Sequence, residues 1–159
     1  MLDVYFHKPG VSDDELLDKA SRRTLRSVIK AHGGPPFATE DNYWNFFTPG
    51  GAHIQLFAGE NQGALLGLPG DASYHHATLM HDMMLAMDWV VIIPDRRLRV
   101  LSTQDTTLPD ALELAGEDFE KVDDGELQVV TSPEDVANAL VPSLEDWFAF
   151  RHPILEGQA

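Results

Sequence analysis

The chain contains no cysteine, which excludes disulfide scaffolds, thiolate metal sites, iron–sulfur clusters and a cysteine nucleophile together. Bases are scarce, with 11 Lys plus Arg against 26 Asp plus Glu, and the formal net charge of −15 opposes a surface that tracks nucleic acid or anionic lipid. Nowhere do 18 apolar residues run together, and the opening MLDVYFHKPG has no charged leader followed by an apolar stretch. The expectation is a soluble, cytoplasmic protein. What is present is 159 residues, 43% of them hydrophobic and 9% aromatic, enough for one core. No Gly/Ser linker, repeat or low-complexity run divides the chain, so residues 1–159 read as a single globular domain.

The charge is unevenly placed. Residues 1–102 carry 12 acids and 9 bases, whereas residues 103–159 carry 14 acids and 2 bases, so the last 57 positions hold −12 of the total. Self-repulsion of that size destabilises a compact state unless solvent or a partner screens it.

Ser12-Asp13-Asp14-Glu15 has the spacing of a capping box and predicts the start of a first helix, which His32-Gly33-Gly34-Pro35-Pro36 stops. At 100° per residue, Leu17, Leu25, Val28 and Ile29 share one half of it, while Lys19, Arg22, Arg23, Arg26 and Lys30 form a narrow basic stripe on the other. From Asn42 the period changes to two. Tyr43 to Phe47 and Ala52 to Phe57 read as a hairpin around Pro49-Gly50-Gly51, followed by a strand through Ala64-Leu65-Leu66 that ends at Pro69-Gly70-Asp71. A second helix is expected from about Ser73 to Met87. Trp89 to Ile93 is apolar throughout, the pattern of a central strand covered on both faces, and Leu98-Arg99-Val100-Leu101 alternates as if only one face were buried. The acidic remainder predicts a short helix over Pro109 to Ala115, a strand over Glu126 to Val130, and a helix opened by Ser132-Pro133-Glu134-Asp135. Ser143 signals another cap, after which Trp147, Phe148 and Phe150 are expected to pin the tail to the body. The fold class is therefore α+β: a mainly antiparallel sheet with helices packed on it, in the order α-β-β-β-α-β-β, followed by an acidic α/β portion.

Candidate chemistry centres on Tyr74-His75-His76-Ala77-Thr78-Leu79-Met80-His81-Asp82. Two metal ligands on one helix need a spacing of three or four, but these histidines are one, five and six apart and point in three directions. Only His75 and Asp82 share a face, two turns distant, and His53 is the one obvious further ligand. No metal or other cofactor is expected. A hydrolase or lyase built from His53, His75, His81 and Asp82 would require those four to converge. Met80, Met83, Met84 and Met87 line one side of the same helix, either as core or, if exposed, as an adaptable apolar interface.

Other motifs fail on count. No G-x-S-x-G elbow surrounds any serine and no phosphate-binding glycine loop follows a strand. With Gly125 as the sixth position of a calcium loop, Val122 falls at the third and Thr131 at the twelfth, where acidic ligands are needed. The element order over about residues 12–102 resembles that of the small acidic chaperones of bacterial type III secretion, although the 57 residues beyond depart from it. That resemblance implies an escort protein with the Met-rich helix as its dimer contact. The charge points instead to an inhibitor, like the immunity protein of a bacterial nuclease-type toxin, that covers a basic partner with Glu117, Asp118, Glu120, Asp123, Asp124 and Glu126. Binding is favoured over catalysis, the partner is a basic protein and neither nucleic acid nor membrane, and the chain is a monomer or a homodimer.

Overall fold

The computed structural model describes residues 2–8, 18–38, 42–58, 63–69, 72–94, 98–103 and 126–140. Their hydrophobic periodicity builds seven strands and three helices: β1 (Leu2–His7), α1 (Lys19–Ala31), β2 (Tyr43–Phe47), β3 (His53–Ala58), β4 (Ala64–Leu68), α2 (Tyr74–Met87), β5 (Val90–Pro94), β6 (Leu98–Ser102), β7 (Glu126–Val129) and α3 (Pro133–Leu140). The strands form one sheet in the order β2-β3-β4-β1-β5-β6-β7, antiparallel throughout except for the β6–β7 pair. The fold is α+β with a mostly antiparallel sheet, and β5 lies inside it between β1 and β6, as its apolar run requires.

The sequence reading assigned no strand before the first helix, yet β1 is the middle strand. Leu2, Val4 and Phe6 alternate with Asp3, Tyr5 and His7, and Val4 and Phe6 are buried. β1 pairs Val4 with Leu66 of β4 on one side and Phe6 with Val91 of β5 on the other, and so joins two halves of the sheet that share no other ladder among the described residues.

One sheet face carries the helices. Val4, Phe6, Trp44, Phe46, Ile54, Leu56, Leu66, Val91, Ile93 and Leu101 meet Leu25 and Ile29 of α1, Val136 and Leu140 of α3, and the length of α2. Met80, Met83 and Met84 are fully buried there and Met87 nearly so, so of the two readings of the four thioethers the structure shows core, and the possible apolar interface is not exposed. The cause is placement: α2 lies between α1 and α3 as well as over the sheet. Burying a side chain of this size contributes about 1.5–3 kcal/mol, and the unbranched thioethers fit a helix enclosed on several sides.

The start of the first helix differs from the sequence reading. α1 begins at Lys19, not in the Ser12 capping box, and its N-cap is Asp18, whose carboxylate accepts from the Ser21 amide at 2.7 Å. Ser12 to Glu15 lie outside the described residues, as do Gly59 to Asn61, Gly70, Asp71, Asp95, Arg96, the helix expected over Pro109 to Ala115, and Ser143 with Trp147, Phe148 and Phe150. β6 is buried on both faces, since Arg99, Val100 and Leu101 are all inaccessible, so its alternation does not mark a solvent face. The α3 start is as predicted: Ser132 Oγ accepts from the Asp135 amide, and the Asp135 carboxylate accepts in return from the Thr131 amide and hydroxyl, both at 2.9 Å. No helix among the described residues is long and apolar enough to cross a membrane.

Both capping carboxylates are held below their ordinary pKa. For Asp18 the chief cause is the Ser21 amide, aided by its hydroxyl; for Asp135 it is the Thr131 amide and then its hydroxyl. A carboxyl lowered in the fold contributes stability above its unfolded value, and that contribution is lost as pH falls through the folded value. The capping contribution should therefore persist down to about pH 4 and disappear below it; carboxyl carbon NMR shifts should show Asp18 and Asp135 titrating beneath the exposed aspartates. A steric prediction concerns Gly63, where an added Cβ would stand 2.0 Å from the Phe6 carbonyl oxygen, a backbone atom fixed in the central ladder. Gly63→Ala should cost about 1–3 kcal/mol, read as a lower urea midpoint.

Candidate functional site

The histidine-rich start of α2 sits against the β2–β3 hairpin. Ser73 is the N-cap in an extended conformation, and its amide donates to His76 Nδ1 at 3.0 Å, the reciprocal half of a capping box with histidine in the place usually held by Glu or Gln. The other ring nitrogen, Nε2, lies 2.8 Å from the His53 carbonyl oxygen and must donate to it. With one nitrogen accepting and the other donating, the fully buried His76 is the neutral Nε2–H tautomer. This ring fastens the helix start to the edge hairpin. One residue earlier, His75 lies against the turn, so close that a Cβ on Gly50 would overlap its Nε2.

The remaining candidates face elsewhere. His53 points to the helix-free side of the hairpin, where its ring stacks on Phe47 with centroids 4.6 Å apart and its Nε2 meets Asn45 Oδ1 at 2.5 Å. Asp82 pairs with His32 Nε2 at 2.6 Å, tying α2 to the C-terminal end of α1. His81 is buried, and its Nε2 has no hydrogen-bond partner among the described residues; the same holds for Nε1 of Trp44. His53, His75, His81 and Asp82 thus have four different surroundings, and among the described residues no three His, Asp or Glu side chains gather into a group able to hold a metal ion.

Two polar residues have roles the sequence did not announce. His32 looked like part of a helix stop but is the partner of Asp82. Arg99, read as solvent-facing, is buried beneath α3 and its guanidinium donates to the Ala139 carbonyl in the last helical turn. A cation suits that position because the carbonyl end of a helix carries partial negative charge. Gln128, Asp135 and Asn138 surround it in a recess of about 380 Å³. A second opening of about 520 Å³ runs between α1 and α2, lined by Thr24, Ser27, Val28, Ala31, Asp82, Leu85 and Ala86. Leu85 is 57% exposed there.

Of the six acids expected to meet a partner, Glu117, Asp118, Glu120, Asp123 and Asp124 lie outside the described residues, and Glu126 opens β7. The basic stripe of α1 is solvated at Lys19, Arg23 and Lys30, while Arg26 lies over the exposed ring of Phe37, 5.4 Å from its centroid. Comparison with protein-family models, with curated proteins and with solved structures finds no match.

His76→Phe should keep the ring volume but strand the Ser73 amide and the His53 carbonyl, lowering stability by about 2 kcal/mol or more. His76→Gln should recover part of that loss because an amide oxygen accepts at the same capping position. Thermal unfolding of the three proteins side by side measures both effects.

Proposed function

We propose that the protein is a non-catalytic binding module that neutralises a basic partner protein, as the immunity protein of a nuclease-type toxin does, using its acidic C-terminal third. One observation carries this reading: −12 of the net −15 is concentrated in residues 103–159. The hydrogen bonding of the body supports it. His53, His75, His81 and Asp82 stand in four different surroundings, and Asp82 with His32 and His76 with the hairpin are engaged in holding elements together. In sequence the acidic stretch falls between β6, which ends at Ser102, and β7, which starts at Glu126 and runs parallel to β6. The contact acids on this reading are Glu117, Asp118, Glu120, Asp123, Asp124 and Glu126.

A secretion-chaperone-like escort is the second reading, and the observation favouring it is the α1–α2 groove with its exposed Leu85. The methionines have no part in it, being core. The two readings separate kinetically. With the partner captured on immobilised chain and identified, the acidic reading predicts an association rate that falls steeply above about 0.1 M salt, where screening acts within about 10 Å, and a slower dependence of dissociation. Asp123→Lys with Asp124→Lys should slow association about tenfold or more while unfolding stays unchanged. Insensitivity to salt and to these reversals, with binding lost on Leu85→Glu, would replace the inhibitor reading with the escort.

A further inference from the structure

The opposite end of the sheet has a different character. β2 is a terminal strand and among the described residues pairs only with β3. Edge strands are ordinarily blunted by charge, proline or a bulge, yet Tyr43-Trp44-Asn45-Phe46-Phe47 has no charge and no proline, and its register with β3 is unbroken. The hairpin end sets the direction of its hydrogen bonds. The Thr48 amide donates to the Ala52 carbonyl, and alternation along an antiparallel ladder then turns Phe46 and Trp44 inward to β3 and leaves the main-chain groups of Asn45 and Phe47 on the outer side. Phe47 is 66% exposed and Phe37 67%.

α1 lies on the same side of α2 as this edge. α3 packs beside α2 and is bonded to β6 through Arg99, whereas α1 packs on the other side of α2 and its end meets β2, the Gly34 backbone lying against both Ile29 and Phe46. Thr24, Ser27, Val28 and Ala31 face α2, and Leu25 and Ile29 face the core. The flank left over, turned away from α2 and toward the β2 edge, is the stripe of Lys19, Arg22, Arg23, Arg26 and Lys30, with no acid among residues 19–31.

We infer that β2 and the basic flank of α1 form a docking site for an extended acidic segment of a partner protein, which adds to β2 as a further strand while its carboxylates meet Lys19, Arg23, Arg26 and Lys30. Main-chain pairing supplies affinity in strand addition, and side-chain complementarity selects the sequence. Charge decides the occupant. A second copy pairing β2 with β2 about a two-fold axis would bring two such cationic flanks together, a like-charge arrangement. Nucleic acid would meet the stripe but has no amide ladder to pair with Asn45 and Phe47, and the field of a −15 chain repels it. The site is at the far end of the sheet from β7 and does not depend on the role of the acidic third.

The probe is a nine-residue synthetic peptide of alternating Val and Glu, blocked at both ends, titrated into the full chain at low salt and followed by backbone amide NMR. Expected are shifts at Asn45 and Phe47, binding about tenfold or more tighter than an alternating Val–Lys peptide, and about tenfold weakening by Arg26→Glu with Lys30→Glu. Asn45→Pro should abolish binding by removing an outward amide. Because that variant could perturb the strand, the unmodified protein is also tested with two N-methylated peptides: methylation of the alternate amides in one frame should abolish binding, and in the other should spare it. The inference is overturned if the Asn45 and Phe47 amides do not move, if the Val–Lys peptide binds equally, or if both methylated frames bind alike. It is also overturned if oligothymidylate binds the same residues more tightly than the peptide, or if those amides shift on concentrating the chain alone.

Discussion

The structure depends on β1. A six-residue strand, separated from its ladder partners by more than fifty positions, provides the only pairing among the described residues between β2-β3-β4 and β5-β6-β7. Its inner residues Val4 and Phe6 then complete the floor on which α2 lies, with Phe6 tilted against Trp89 at a centroid distance of 5.6 Å. Without that strand each half of the sheet would expose an uncharged edge, and α2 would span a gap. Because β1 pairs on both sides, its backbone groups are satisfied and its position admits no close substituent, which is why the Gly63 backbone can press against the Phe6 carbonyl.

Polar side chains in the body follow from this arrangement. An enclosed central helix has termini that need partners away from water, and histidine serves as a short bridge with a donor and an acceptor on opposite sides of one ring. His76 fixes the start of α2 to β3, His32 with Asp82 fixes its middle to α1, and Arg99 satisfies the end of α3 from below. His76 and His32 thus join helices to the sheet or to one another, while His81 is buried with its Nε2 unpartnered among the described residues.

Charge is segregated along the sequence. Five cations sit on α1, on the same side of α2 as β2, and the residues from 103 onward hold −12 of the net −15. Among the described residues the cations of α1 have no acid on their own helix, so the field near that flank differs in sign from the field of the chain as a whole.

Much of the body was legible from residue patterns. The hairpin, α2, β5 and the start of α3 each combine a clear period with a local turn or cap, and local chemistry of that kind needs no distant partner to be read. β1 shows the limit: Leu2, Val4 and Phe6 alternate as plainly as β3 does and Pro9-Gly10 follows them, but no hairpin partner is adjacent in sequence, since the strands it pairs with lie at 64–68 and 90–92. Arg99 and the methionines show another. Whether an alternating basic residue faces water, or a thioether faces a partner, depends on what packs over it, and that is decided by which helix covers which strand. The sequence by itself determined the α+β class, most element positions and the segregation of charge, because period, capping and net charge are local or additive. Only the tertiary structure decided the middle strand, the pairing of His32 with Asp82, the burial of Arg99 and the placing of α1 on the β2 side of α2, because each is a meeting of residues that no local pattern links.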